Sequence, residues 1–375
     1  MRIGLDAKRA FCNNSGLGNY SRMFIRAMLT RFPEHTFFLF TPMIRDEAFY
    51  DEIRKMGRVG IITPQSHFAR RFHFFWRRFK IGRIVSRLDL DVFHGLSQEL
   101  PRGLPIHKIR KVVTIHDMIA FHAGGSHEWY NAFFYKLKIK HAVKSASAIV
   151  AISKQTAHEL QSILPLKGTT IQVIYQPVAP AFFKRSDEAF QQMIRAKYRL
   201  PETYILQTGN MQPRKNHKLT LKTLQQSAAL HNLHFVIVGK PGKNLKKIKN
   251  EVKQRGLESR VHFLFEVPAS ELPALYQMAS CVVYPSLMEG YGLPIVEAMA
   301  SYVPVITTNG GCFEEAGGQG AWYISPNDTE AMATTLQTIL TKGEQVTKKL
   351  QEGLHLAGIN TAPKMADAYM QVYVG

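Results

Sequence analysis

The run Tyr284-Pro285-Ser286-Leu287-Met288-Glu289-Gly290-Tyr291-Gly292-Leu293-Pro294-Ile295-Val296-Glu297-Ala298-Met299-Ala300 says more about architecture than any other segment of the chain. It follows the apolar run Cys281–Tyr284, which reads as a buried strand. Gly290 and Gly292 let the backbone turn tightly and come close to a ligand. Pro294 suits the first turn of a helix. That helix should reach about Tyr302, because Pro304 must lie beyond it. Its start offers unpaired amides and a positive dipole end, which together bind phosphate. Glu297 falls three positions into the helix, where a carboxylate facing phosphate would repel it. It is therefore expected to turn aside and bond hydroxyls, and ribose hydroxyls fit. Glu289 precedes the turn and should face the sugar side. The plainer alternative is a capping glutamate in a glycine-rich turn. Capping alone does not jointly explain two glutamates, two glycines and the proline.

Outward from this unit, short apolar strands alternate with amphipathic helices. Candidate strands are Arg2–Asp6, Thr36–Phe40, Val59–Ile62, Val92–His94, Val112–Ile115, Ala148–Ile152 and Gln172–Tyr175. They resume at Tyr204–Thr208, Phe235–Val238, Val261–Phe265, Cys281–Tyr284, Val303–Thr307 and Trp322–Ile324. Such alternation, with strands rich in Val, Ile and Phe, predicts an α/β fold of parallel sheets covered on both faces. The break at Gln176-Pro177-Val178-Ala179-Pro180 reads as a stiff hinge. It divides the 375 residues into domains at 1–178 and 179–360, a sensible size for two cores. A helix leading into the second domain is expected at Asp187–Tyr198. A final helix within 361–375, with Met365, Ala368, Tyr369 and Val372 at helical spacing, should pack back on the first domain.

The strand Tyr204–Thr208 ends in Gly209-Asn210-Met211-Gln212-Pro213-Arg214-Lys215-Asn216, a loop at a strand's carboxyl end, where open α/β sheets bind ligands. Arg214 supplies a planar fork and Lys215 a point charge, complementary ways to hold a diphosphate. Asn216 can cap the following helix. An adjacent Arg-Lys pair alone is weak evidence, since most such pairs are solvated surface.

With these two loops in hand, the chain resembles glycosyltransferase family 4, retaining enzymes of the GT-B architecture, and looks mannosyltransferase-like. The family's Glu-x7-Glu motif corresponds to Glu289 and Glu297, with Gly-Tyr-Gly-Leu-Pro inside it. The resemblance implies two Rossmann-like domains whose parallel sheets face each other across a cleft. It implies that Glu289 contacts the donor sugar, that Glu297 holds the ribose, and that amides of Gly290, Tyr291, Gly292 and Leu293 hold sugar hydroxyls and phosphate. It makes Arg214 and Lys215, on the loop from Gly209, the diphosphate ligands, and places nucleobase reading around Phe265. It also implies a glycine loop, Gly16 and Gly18, opposite the phosphates, and a histidine, His116, against the donor sugar. Diphosphate is held by side chains and amides in such enzymes, so no metal and no further cofactor is expected. The pattern weakens at Ser301-Tyr302-Val303-Pro304 and at Phe313-Glu314, where the family has Gly-x-Pro-Val and Pro-Glu.

Read without the resemblance, Gly16 and Gly18 are compatible with a plain tight turn. His116, ending Val112–Ile115, is equally compatible with a buried histidine bonded to backbone. His94, after Asp91-Val92-Phe93, is a candidate for the acceptor side.

The formal charge is +20, and it is uneven: residues 1–180 hold 27 Lys and Arg against 12 Asp and Glu. A basic half implies an anionic partner or simple solubility. Within it, His67–Arg87 interleaves aromatics with arginines, and Phe68, Phe72, Phe75 and Phe79 would form one stripe on a helix. That stripe is read either as a core-facing helix with a basic solvent face or as an interfacial helix for anionic lipid. Lys136, Lys138, Lys140 and Lys144 on a second helix would add to the same face. No apolar run approaches a membrane span. The N-terminus reads as a strand, not a signal peptide. Three scattered cysteines read as reduced thiols of a cytoplasmic protein without a zinc site.

The sequence therefore predicts a hexosyltransferase. It should move a sugar from GDP-mannose or a UDP-sugar to a glycan acceptor, lipid-linked, in bacterial surface polysaccharide synthesis such as lipopolysaccharide or capsule. Its place would be the cytoplasm, peripheral at the inner membrane face. The alternatives are a nucleotide-sugar epimerase or hydrolase on the same fold, and a nucleic-acid-binding protein suggested only by the charge.

Overall fold

Among the described residues, runs of Val, Ile, Leu and Phe form thirteen strands, all paired in parallel, close to where the sequence places them. The computed structural model describes residues 1–13, 15–67, 71–105, 108–122, 129–166 and 168–375. The described residues up to Pro177 join Thr361–Gly375 in one compact unit, and Val178–Asn360 form the other.

The first unit holds a sheet in the order β3-β2-β1-β4-β5-β6-β7. Its strands are β1 (Arg2–Asp6), β2 (Thr36–Phe40), β3 (Val59–Ile62), β4 (Val92–Gly95), β5 (Arg110–Ile115), β6 (Ala148–Ala151) and β7 (Ile171–Val173). The second unit has the order β10-β9-β8-β11-β12-β13. These are β8 (Tyr204–Thr208), β9 (His234–Val238), β10 (Val261–Leu264), β11 (Cys281–Tyr284), β12 (Val305–Thr308) and β13 (Trp322–Ile324). In both sheets the order reverses once, beside β1 and β4 and beside β8 and β11. Crevices at such reversals, at the carboxyl ends of the strands, are where this class of fold binds ligands. The sequence of the second unit puts its two informative loops there: Gly209–Asn216 follows β8, and Pro285–Gly292 follows β11.

Five helices frame the functional residues: α1 (Gly16–Arg31), α2 (Trp129–Ser145), α3 (His217–Gln226), α4 (Leu293–Ala300) and α5 (Ala362–Val374). Helix α5 returns to the first unit. It is held by Thr361, whose hydroxyl accepts the Lys364 amide, and it buries Met365, Ala366, Tyr369, Val372 and Tyr373. The larger of these are each worth about 1.5–3 kcal/mol relative to exposure. Arg110 Nε donates to the Val372 carbonyl at 2.5 Å, and Arg31 meets Asp367 at 2.7 Å. The helix entering the second unit runs Glu188–Tyr198, with Asp187 accepting the Phe190 amide at 2.7 Å.

Two local expectations are corrected. Asn216 precedes α3 with φ 53°, and its side chain does not cap the helix; it donates to the Pro326 carbonyl at 2.8 Å. The aromatic segment is not one regular helix. Trp76–Lys80 is a π-helical turn between His73–Phe75 and Ile81–Leu88. The wider turn swings Trp76 and Arg77 inward and leaves Phe72, Phe75 and Phe79 exposed, so the stripe faces solvent, not a core. Phe68 lies outside the described residues.

Candidate active site

Lys215 ends the loop after β8 as a buried cation, and its Nζ donates to the Tyr284 hydroxyl at 2.6 Å. Glu289 comes from the loop after β11, and its carboxylate lies 2.7 Å from Lys215 Nζ. Arg214 pairs with the same carboxylate and donates from Nη1 to the Met288 carbonyl at 3.0 Å. The Leu287 amide donates to the Arg214 carbonyl at 2.8 Å, so the two loops are tied by backbone as well as by charge. Burial opposes the charged form of Glu289, but the Lys215 and Arg214 charges outweigh it and hold its carboxyl at about 2. Burial also lowers the pKa of Lys215, with Glu289 working against that shift.

Glu297 is the fifth of the eight residues of α4, three positions after Pro294. Its Oε2 accepts the Tyr276 hydroxyl at 2.7 Å, and that hydroxyl lies 2.7 Å from Thr208 Oγ1. Burial pushes the Glu297 carboxyl up to about 7, against the Tyr276 hydrogen bond and the Lys215 charge. The structure thus joins Glu289, Arg214, Lys215 and Glu297 around the ends of β8 and β11. It adds Thr208, Tyr276 and Tyr284, which the sequence marks only as strand and motif members. Their signal was position: Thr208 and Tyr284 each end a strand at the reversal point.

The glycines divide by need. Gly292 takes φ 104°, which only glycine adopts freely, immediately before α4; Gly290 and Tyr291 lie on the approach to it. Gly209 has φ 128° and lies against the Lys215 side chain. Gly239, which carries no site signal in the sequence, lets β9 end against this loop: a Cβ there would fall 1.9 Å from the Gly209 carbonyl oxygen. Phe265 follows the edge strand β10, stacked on Phe263 with ring centroids 6.4 Å apart, and packs on the core of its unit.

The remaining predicted residues belong to the first unit. Gly18 is required where α1 starts, because a Cβ would fall 1.7 Å from the Asn13 carbonyl oxygen; a Cβ at Gly16 would meet nothing. His116 is a correction. Its ring is buried edge-on against Tyr20, 4.7 Å between centroids. Nε2 bonds the Leu96 carbonyl at 2.8 Å, and Nδ1 meets the Gln176 amide at 3.0 Å. A carbonyl can only accept, so Nε2 carries the proton and Nδ1 accepts. Burial lowers the pKa to about 4, so the ring is a neutral, fully bonded core group. His94 is corrected likewise. It is fully buried between Tyr373 and Thr114, at 2.6 and 2.8 Å, and does not line a surface.

Comparison with known proteins places this geometry. Residues 190–353 match the model of the glycosyl transferases group 1, and residues 14–182 match that of Glycosyltransferase Family 4. Each model covers less than half of the chain, and together they make it similar to the family 4 glycosyltransferases along most of its length. Its relatives include the O-antigen chain mannosyltransferase RfbU of Salmonella typhimurium, 28% identical over 61% of this chain and 60% of that one. The O-antigen chain mannosyltransferase B of Escherichia coli is 28% identical over 64% and 63%. The aligned regions therefore span less than two thirds of either relative. Among solved structures, Anabaena Alr3699/HepE in complex with UDP and glucose superposes with a TM-score of 0.75 over 100% of this chain and 99% of that one, at 18% identity. WaaG, a glycosyltransferase involved in lipopolysaccharide biosynthesis, gives 0.72 at 16% identity over 100% of both. These likenesses establish the GT-B fold.

Against the family 4 pattern the chain departs after α4, at Phe313-Glu314. Glu314 there accepts the Gly310 amide at 2.8 Å, closing its own loop.

Proposed function

We propose that this chain is a retaining hexosyltransferase that takes a sugar from a nucleotide-diphosphate donor, GDP-mannose or a UDP-sugar, and transfers it to a lipid-linked glycan. The observation that carries this is the Arg214–Lys215–Glu289 cluster at the strand-order reversal of the second unit. Two cations there match a leaving diphosphate, and an ionised carboxylate matches a sugar carbon gaining positive charge. The acceptor hydroxyl attacks the anomeric carbon from the face the diphosphate leaves. The bond from that carbon to the phosphate oxygen breaks, and a phosphate oxygen takes the hydroxyl proton. Glu289 orients the sugar without bonding to it. Glu297, aligned by Tyr276, takes the ribose hydroxyls, amides near Gly290–Leu293 take phosphate and sugar hydroxyls, and the loop around Phe265 reads the base. The basic first unit takes the acceptor. Relatives named as O-antigen mannosyltransferases, and a structural neighbour solved with UDP and glucose, support the choice of donor class and of surface polysaccharide. No helix among the described residues is long and apolar enough to cross a membrane. The lipid-linked acceptor would be met by peripheral contact, at the cytoplasmic face of the inner membrane.

The test is a panel of GDP- and UDP-sugars, followed for binding, for transfer and for the anomeric configuration of the product. Retention is expected, and turnover should survive a chelator. Inversion would overturn the mechanism; steady release or isomerisation of the sugar without acceptor would make the chain a hydrolase or epimerase.

Donor affinity should also depend on pH. A carboxyl at about 7 is mostly protonated below neutrality, and ribose hydroxyls bond best to the carboxylate. Affinity should therefore rise as pH passes upward through about 7, and Glu297→Gln should flatten the profile. Because the folded pKa exceeds the ordinary 4.5, this group's contribution to stability falls as pH climbs from 4.5 to about 7. Calorimetric titration across that range checks the sign; a flat wild-type profile would remove Glu297 from the ribose.

A further inference from the structure

We propose that the first unit docks on an anionic bilayer through one face built by residues 71–80 and α2. This deepens the reading of a lipid-linked acceptor and rests on it for its purpose.

Large apolar side chains stand in solvent on both segments. Phe72, Phe74, Phe75, Phe79, Phe133 and Phe134 are 45–61% exposed, and Phe183 is the one other exposed phenylalanine among the described residues. Concentration of this kind marks an interaction surface, since singly scattered apolar residues are the ordinary case. The rings are organised. Phe74 meets Phe75 edge-on at 5.9 Å, Phe75 stacks on Phe79 at 6.2 Å, and Phe133 meets Phe134 at 5.8 Å. Arg78 lies over both Phe74 and Phe79, at 6.0 and 5.7 Å from the ring centroids. Cation and aromatic are thus presented together.

The two segments are fixed side by side from beneath. Arg77 turns inward to Asp6 at 2.5 Å and to Glu99 at 3.1 Å. Lys138 of α2 reaches the other oxygen of Glu99 at 2.9 Å. One partly buried carboxylate therefore holds both segments, and both line the same small cavity beside it. The π-helical turn is what allows this, because it points Trp76 and Arg77 inward while their neighbours point out.

Charge decides the occupant. Neither 67–87 nor 129–145 contains an Asp or Glu. Arg77 and Lys138 are neutralised by Asp6 and Glu99, which leaves Arg71, Arg78, Lys80, Lys136, Lys140 and Lys144 as the cations of this surface. A partner must therefore accept aromatic rings at shallow depth and supply dense negative charge. A bilayer with anionic headgroups does both. A second copy of the chain would bring like charge against like charge, and a nucleic-acid duplex, its bases already stacked on one another, leaves the rings without an apolar partner.

The test uses the full chain and cosedimentation with vesicles of phosphatidylcholine alone or mixed with phosphatidylglycerol. Binding should require phosphatidylglycerol and fall as salt is raised. The quadruple variant Arg78→Glu, Lys80→Glu, Lys136→Glu, Lys140→Glu should lower partitioning by at least about a hundredfold. Phe74→Ser with Phe75→Ser and Phe134→Ser should lower it at unchanged charge. Both variants should keep the wild-type circular dichroism spectrum and melting transitions, which shows that the first unit stays folded. Indifference to anionic vesicles at low salt, equal binding to neutral ones, or tighter binding to RNA than to vesicles would each overturn the proposal. Vesicle binding by a protein that transfers no sugar from any donor would leave this face standing and remove the transferase reading instead.

Discussion

Glu289→Gln is expected to lower the rate of sugar transfer by about two to three orders of magnitude, the loss seen when a preorganised electrostatic stabiliser is removed. Held at about 2, the Glu289 carboxyl is fully ionised at neutral pH, and its charge is set by Lys215 and Arg214. Glutamine keeps the shape and an acceptor oxygen but not the charge. The same change leaves the two cations less compensated, so affinity for the free nucleoside diphosphate should hold or rise while turnover collapses. A simple loss of binding site would lower both. The variant should also melt at a lower temperature, because breaking a buried ion pair from one side costs about 3–5 kcal/mol. In the native protein that contribution is present above the ordinary glutamate value of 4.5 and disappears as pH falls toward about 2. Turnover is therefore compared well below the melting transition, and unchanged turnover would remove Glu289 from the reaction.

Lys215→Ala should weaken donor binding by roughly 1.5–3 kcal/mol, at least about tenfold. The side chain is buried, bonded to Tyr284, and 4.4 Å from that ring's centroid, so alanine leaves a hole as well as a missing charge. Arg214→Ala should act similarly, and Arg214→Lys should rescue little. The guanidinium grips the Met288 carbonyl, the Gln212 side chain and Glu289 at once, which an ammonium cannot reproduce. Calorimetry with a nucleoside and its diphosphate reads the difference. Equal affinity of wild-type protein for the two would refute the cationic clamp.

How much was legible in the sequence depended on range. Strands such as Val282-Val283-Tyr284 and the helix start at Pro294 are written in neighbouring residues, and both came out in place. The Glu289–Lys215 approach joins residues far apart in sequence. It was anticipated through the family resemblance, which assigns both loops to one donor site; alternation of elements alone does not fix the strand order that brings them together. His116 shows the limit. A histidine at the carboxyl end of a strand has one sequence signature whether it points at a ligand or back into the core. Here Gln176 and the Leu96 carbonyl decide, and neither is near it in the chain. The phenylalanine stripe left two readings open, core-facing or interfacial. Periodicity reports that apolar residues share a face, not what that face meets, and the π-helical turn shifted the register besides.

Helix α5 has a consequence for how the protein is made. Tyr20 meets Tyr369, and Tyr373 meets His94, so the face formed by α1 and β4 is covered by side chains from the far end of the chain. On the ribosome, residues 178–361 emerge before that cover does. At ~5–20 residues per second this is a wait of roughly ten to forty seconds. The first unit to be synthesised is thus the last to be finished. Its uncovered apolar surface is exposed to holdase chaperones throughout, while the nucleotide-binding half can fold ahead of it.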